Sequence, residues 1–168
     1  MSRLDRFIAR LQAQRLLLNR ACAELNAAGE RFAGPALEFG LGNGRTFDHL
    51  RENLKGRRIL VFERSVQAHR RSLPPPEDLV LGNIEQTAFA FAQKFGPIAA
   101  FLHADLGTGE ADLEGELQAW LPAAAHAPLR PGALVVTSTK LAHAELEEQP
   151  SPPEVQPGCY YVYRRAVG

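Results

Sequence analysis

From residue 35 onward, short and nearly continuous apolar runs alternate with segments of helical period, and few architectures accept that alternation. The runs are PALEF (35–39), RRILVF (57–62), EDLVLGN (77–83), PIAAFLHAD (97–105), GALVVTS (132–138) and CYYVYRR (159–165). Between them, residues 44–54 read as a helix with Phe47, Leu50 and Leu54 at helical spacing. SVQAHRRSL (65–73) reads as a short helix stopped by Pro74-Pro75-Pro76. Residues 84–95 pair Phe91 with Phe95, and 110–125 present Leu113, Leu117, Trp120, Leu121 and Ala124 on one face. Strands that are apolar throughout belong in a parallel sheet covered by helices on both faces, with right-handed crossovers. The final run follows a proline-rich loop (147–158) with no helix, so it is expected to join antiparallel at an edge. The expected fold is α/β: a Rossmann-like, doubly wound, mainly parallel sheet.

Ahead of that core, residues 2–28 read as one long amphipathic helix. Leu4, Phe7, Ile8, Leu11, Leu18, Cys22 and Leu25 share a face, and Gly29 supplies the stop. Such a face packs on the domain itself or on a second copy. A basic membrane-surface helix is the alternative, diluted by Asp5 and Glu24. The chain, 168 residues, suits a single domain, with residues 1–29 as the added helix and 35–168 as the core.

Composition removes several classes of function. Acidic and basic residues number 19 each, so no global field recruits nucleic acid or an anionic membrane. No apolar run approaches the ~20 residues that span a bilayer. Two distant cysteines, Cys22 and Cys159, fit free thiols in a reducing cytoplasm and give no zinc signature. No metal site is expected.

In an open α/β sheet, ligands bind beyond the carboxyl ends of the strands. There the first strand delivers Glu38 and the turn Gly40-Leu41-Gly42-Asn43-Gly44, the second Glu63 and Arg64, the third Gly82-Asn83-Ile84, and the fourth His103 and Asp105. A dinucleotide fingerprint, G-x-G-x-x-G/A with an acidic residue about 20 positions on, is met by Glu63 but not by Arg45, which stands where a small residue is wanted. A P-loop fails, because no Gly-Lys-Ser/Thr follows.

The stretch LEFGLGNG resembles the first motif of class I S-adenosyl-L-methionine-dependent methyltransferases, an acidic residue followed by alternating glycines. Glu63 in ILVFER, the Gly82-Asn83-Ile84 triplet, Asp105 and the Pro-Gly turn of LRPGALVV match further landmarks of that family in order, over residues 35 to about 140. The resemblance implies S-adenosyl-L-methionine as cofactor and S-adenosyl-L-homocysteine as product. It implies that Gly40, Gly42 and Gly44 bring the backbone against the methionine part, with Leu41, Asn43 and Thr46 alongside. Glu38 would face the cationic amino end, and Glu63, beside Arg64, both ribose hydroxyls. Asn83 would meet the adenine amino group where the family usually carries Asp, with Gly82 and Ile84 in contact. Asp105 would sit near the sulfonium or the acceptor.

Methyl transfer asks mainly for alignment, and an oxygen nucleophile for a base as well. Asp105 and His103 are the candidates, although a strand-embedded histidine is more often structural. The expected acceptor is a small molecule, with nucleic acid and membrane disfavoured. A homodimer through the N-terminal helix or an edge strand would help to complete the pocket. The alternatives are a Rossmann-type oxidoreductase binding NAD or another nucleotide, and a non-catalytic module that binds S-adenosyl-L-methionine.

Overall fold

A computed structural model describes residues 1–106 and 111–168, the side chains of 111–114 excepted. The expected face residue Leu113 and the expected helix start at 110 therefore lie outside the described residues. In chain order come α1 (Arg3–Ala28), β1 (Ala36–Phe39), α2 (Arg45–Asn53), β2 (Ile59–Glu63), β3 (Leu79–Leu81) and α3 (Ile84–Phe95). They are followed by β4 (Ala99–Ala104), α4 (Ala111–His126), β5 (Leu129–Thr137), β6 (Leu146–Glu148) and β7 (Tyr161–Arg165). The sheet runs β3-β2-β1-β4-β5-β7-β6; its first five strands are parallel, and β7 is antiparallel to both β5 and β6.

Period-two alternation divides the side chains between two cores. Leu37, Phe39, Phe62, Leu102 and Val135 face α3 and α4, and they pack with Phe91 and Leu121. Ala36, Val61, Phe101 and Val136 face α1 and α2, together with Leu17, Leu18, Leu25, Phe47 and Leu50. Each fully buried Leu or Phe contributes roughly 1.5–3 kcal/mol.

The N-terminal helix starts on a capping box. The Ser2 hydroxyl accepts from the Asp5 N–H at 3.0 Å, and the Asp5 carboxylate accepts from the Ser2 N–H at 2.9 Å. Its expected stripe divides in two. Leu18, Cys22 and Leu25 are buried, whereas Leu4, Phe7 and Ile8 are 66%, 49% and 45% exposed, because the first turns overhang the sheet instead of lying on it.

Three expectations need correction. Residues 65–73 form no α-helix; only Arg70–Ser72 makes a single 3₁₀ turn. Nine residues ending at a proline run are too few for a helix that lacks a continuous apolar stripe. The last strand is not at the edge either. Strand β6 lies outside it, overlapping the start of the stretch read as loop, with Leu146 its only buried residue. Three residues with one inward side chain leave no periodic signal. Strand β5 also begins earlier than expected, at Leu129, and its pairing with β4 shifts register between Ala99 and Phe101.

Candidate functional site

Strands β1, β2 and β4 end together, with Phe39 opposite both Phe62 and Ala104. The glycine turn leaves from that edge. The Gly40 N–H donates to the Phe62 carbonyl at 2.9 Å, the Gly44 N–H donates to the Leu41 carbonyl at 2.8 Å, and α2 starts at once. All three glycines have positive φ, at 83°, 52° and 82°. They differ in what a side chain would meet. A Cβ on Gly44 would stand 2.5 Å from Ser72 Cβ and 2.8 Å from its carbonyl oxygen, and one on Gly40 would stand 2.6 Å from Leu106 Cδ2. One on Gly42 would meet nothing within 4 Å. The space above Gly42 is therefore open to a ligand; Gly44 is enclosed by the protein's own backbone, while at Gly40 only the mobile end of the Leu106 side chain stands close. Gly42→Ala is expected to cost about 1–2 kcal/mol, the left-handed penalty alone. Gly44→Ala should cost more than that, since backbone must also move. Urea unfolding of the two variants checks the order.

Glu63 closes β2 as a hub for backbone donors. One carboxylate oxygen accepts from the Leu41 N–H at 2.7 Å and the Gly42 N–H at 3.2 Å. The other accepts from the Arg64 N–H at 2.7 Å and the Ser65 N–H at 3.0 Å. Burial alone would raise its pKa; the four N–H groups outweigh burial and hold it below the ordinary carboxylate value.

Beneath the turn runs a polar chain through the α1/α2 core. The pairing of β1 with β4 sets Glu38 directly opposite His103, and both are fully buried. Glu38 takes a hydrogen bond from the Thr46 hydroxyl and lies 2.9 Å from His103 Nδ1. On the far side, His103 Nε2 lies 3.2 Å from the Tyr160 hydroxyl. Gln14 of α1 donates to that hydroxyl at 2.7 Å and to Asp105 at 3.0 Å, and Arg10 forms an ion pair with Asp105. Burial opposes the imidazolium of His103, but the Glu38 carboxylate, with Asp105 behind it, holds its pKa above the ordinary value. Burial and the Asp105 charge push the Tyr160 hydroxyl well up, so it stays protonated.

A cavity of about 680 Å³ opens over these elements, within the range of about 300–1,000 Å³ usual for small-molecule sites. Gly40, Leu41, Gly42, Asn43, Thr46, Glu63, Arg64, Asn83, Ile84 and Asp105 all border it, as do Arg45 and Leu106. Four other expected site residues do not. Glu38 and His103 lie in the buried chain, a Cβ on Gly44 would run into Ser72, and one on Gly82 would stand 3.0 Å from Thr87 Cγ2. Asn83 caps α3, its side-chain oxygen accepting from the Gln86 N–H at 3.1 Å. The opposite wall consists of Phe7, Arg10, Leu11 and Gln14 of α1 with Glu116, Leu117 and Trp120 of α4. Of these, Arg10 and Gln14 escaped the sequence reading, as did Tyr160 below. The available signal was a polar Gln14 inside the apolar stripe between Leu11 and Leu18.

A larger depression, about 970 Å³, lies at the opposite ends of the strands, around Gly34, Arg57 and Ile98. Its most buried cation, Arg57, is already committed to the carbonyls of Phe32 and Gly34 at 3.1 and 2.6 Å. Among the described residues, no row of strand-end carboxylates faces it, in contrast to the smaller cavity.

A family model described as S-adenosyl-L-methionine methyltransferase matches residues 1–165. The crystal structure of an S-adenosyl-L-methionine methyl transferase from Silicibacter pomeroyi DSS-3 is 40% identical to this chain. It aligns over 99% of both chains with a TM-score of 0.91. The antibiotic-resistance methyltransferase Kmr shares the fold at 14% identity, over 88% of this chain and 93% of its own, with a TM-score of 0.56. A fibrillarin/Nop5p complex shares it at 11% identity, over 79% and 72%, with a TM-score of 0.52. No curated protein sequence matches.

Proposed function

The chain belongs to the S-adenosyl-L-methionine methyltransferase family, and we propose that it methylates a small molecule held between the glycine turn and the overhanging start of α1. It is a methyltransferase, and its cofactor is S-adenosyl-L-methionine. When bound, that cofactor supplies an electrophilic methyl group on a sulfonium. The observation that supports its seat here is the bare space above Gly42, next to a strand-end carboxylate.

In this reading Glu63 receives the ribose hydroxyls, a bidentate task suited to a carboxylate. It does so while anchoring the turn through Leu41 and Gly42. Ile84 and Leu106 flank the adenine, and Asn83 meets its amino group, with Gly82 shaping that turn. Leu41, Asn43 and Arg64 complete the cofactor wall. Glu38 is a positioning residue: wholly buried, it acts on the amino-acid end of the cofactor through Thr46, which borders the cavity. Asp105 faces the acceptor and accepts its hydrogen bond. His103 supports Asp105 from behind through Tyr160 and Gln14, and reaches no reacting atom. Gly40 and Gly44 keep the turn closed.

A small acceptor is favoured by the charge of the walls. Arg10, Arg45 and Arg64 are matched by Glu63, Asp105 and Glu116 among the described lining residues, which gives a polyanion no net attraction. No helix among the described residues is long and apolar enough to cross a membrane. We place the single-domain protein in the cytoplasm, where its two free cysteines stay reduced. A homodimer would use the exposed Leu4 and Ile8 or the edge strand β6.

Ligand-dependent melting tests the assignment. S-adenosyl-L-homocysteine at 100 times its Kd should stabilise the protein by about 2.7 kcal/mol, and NAD should leave it unchanged. Stabilisation by NAD alone would overturn the reading in favour of a nucleotide-binding oxidoreductase.

A further inference from the structure

The cavity wall facing the glycine turn has two parts of different chemistry. One is apolar: exposed Phe7 and half-buried Leu11 on α1, and buried Leu117 and half-buried Trp120 on α4. Phe7 borders the cavity while 49% exposed, although it continues the stripe that becomes core at Leu18. An aromatic side chain left half open on a cavity wall offers a face for a flat apolar group. The other part is Arg10, which reaches from that wall to form an ion pair with Asp105 at the end of β4, steadied by Gln14 donating to Asp105 at 3.0 Å.

We propose that the methyl acceptor is an aromatic alcohol, its ring against Phe7, Leu11, Leu117 and Trp120 and its hydroxyl at the Arg10–Asp105 pair. A hydroxyl both donates and accepts, and this pair offers one carboxylate and one guanidinium side by side. A carboxylate head group would gain from Arg10 but be repelled by Asp105. An ammonium head group would gain from Asp105 but be repelled by Arg10. A neutral hydroxyl is satisfied by both, and Arg10 stands ready for negative charge on the oxygen once Asp105 draws its proton. Gln14, which donates to both Asp105 and Tyr160, ties the pair to the buried chain of Tyr160, His103 and Glu38, so its orientation is fixed before the acceptor arrives.

This inference rests on the proposed cofactor seat, and calorimetry separates the two. S-adenosyl-L-homocysteine is titrated first, then 2-naphthol, 2-naphthoate, 2-naphthylmethylammonium and decahydro-2-naphthol into the saturated protein. The expected result is that 2-naphthol binds at least tenfold tighter than each of the others. Arg10→Gln and Trp120→Leu should each weaken it tenfold or more, while S-adenosyl-L-homocysteine affinity stays within threefold. If the protein binds no S-adenosyl-L-homocysteine, the cofactor seat and this inference both fail. If it binds the cofactor product but takes naphthoate or the ammonium as tightly as naphthol, or takes no naphthyl probe, only the aromatic-alcohol assignment fails. Transfer of label from methyl-labelled S-adenosyl-L-methionine to RNA, with none to 2-naphthol, would overturn it as well.

Discussion

Replacing Glu63 with alanine is expected to remove the thermal stabilisation by S-adenosyl-L-homocysteine while leaving a folded protein. Two charge-assisted hydrogen bonds to a ribose diol are worth about 1.5–3 kcal/mol each, so affinity should fall at least ~100-fold. The loss extends beyond the ribose. Leu41 and Gly42 would lose the acceptor that holds the turn at 2.7 and 3.2 Å, so the glycine cradle would loosen as well. The fold survives because the site borders a cavity, where water replaces the missing acceptor. Acid titration carries a second signature. The pKa of Glu63 is depressed in the folded state, so its stabilisation is complete above the ordinary value of 4.5 and fades as pH falls through the folded value. Below pH 4.5 the native chain should therefore lose stability faster than Glu63→Ala. An unchanged melting shift with S-adenosyl-L-homocysteine would refute the ribose assignment.

His103→Leu should act on folding instead. It leaves Glu38, 0% exposed, without its opposite partner, and an uncompensated buried carboxylate costs about 3–5 kcal/mol. Adding Glu38→Leu should recover most of that loss, because an apolar pair fills the same cross-strand position without a charge. Urea midpoints of the single and double variants measure both effects. The pH dependence runs opposite to that of Glu63. Burial and the charge of Arg10 oppose the imidazolium of His103, but Glu38 and Asp105 outweigh them and raise its pKa in the folded state. Its contribution is full below the ordinary value of 6.5 and declines as pH rises through the folded value. The native protein should weaken over that window, and the double variant should not. Equal slopes would show that His103 stays neutral.

Much of the molecule was legible in the sequence because its signals are local. The parallel core announced itself through apolar runs at the spacing of βαβ units, and five of the six expected strands fall within two residues of their expected starts. Strand β5 is the exception, starting three residues early, at Leu129. The family motifs were legible for the same reason, since each stands at a strand end and needs only its neighbours to be recognised. The short strand β6 and the missing helix at 65–73 were not. One is fixed by pairing with β7, the other is prevented by a proline run, and neither leaves a period in the chain.

The sequence by itself determined the parallel core of the sheet, the turn and the row of polar strand ends, because a repeating apolar period and a glycine pattern are written in consecutive residues. Only the tertiary structure decided what each polar residue does. Register set Glu38 against His103, and the path of α1 brought Arg10 and Gln14 to Asp105, 95 and 91 residues away. The physical reason is that a buried charge must find its partner in space. The partners available to Glu38 and Asp105 exist only once strands and helix have packed.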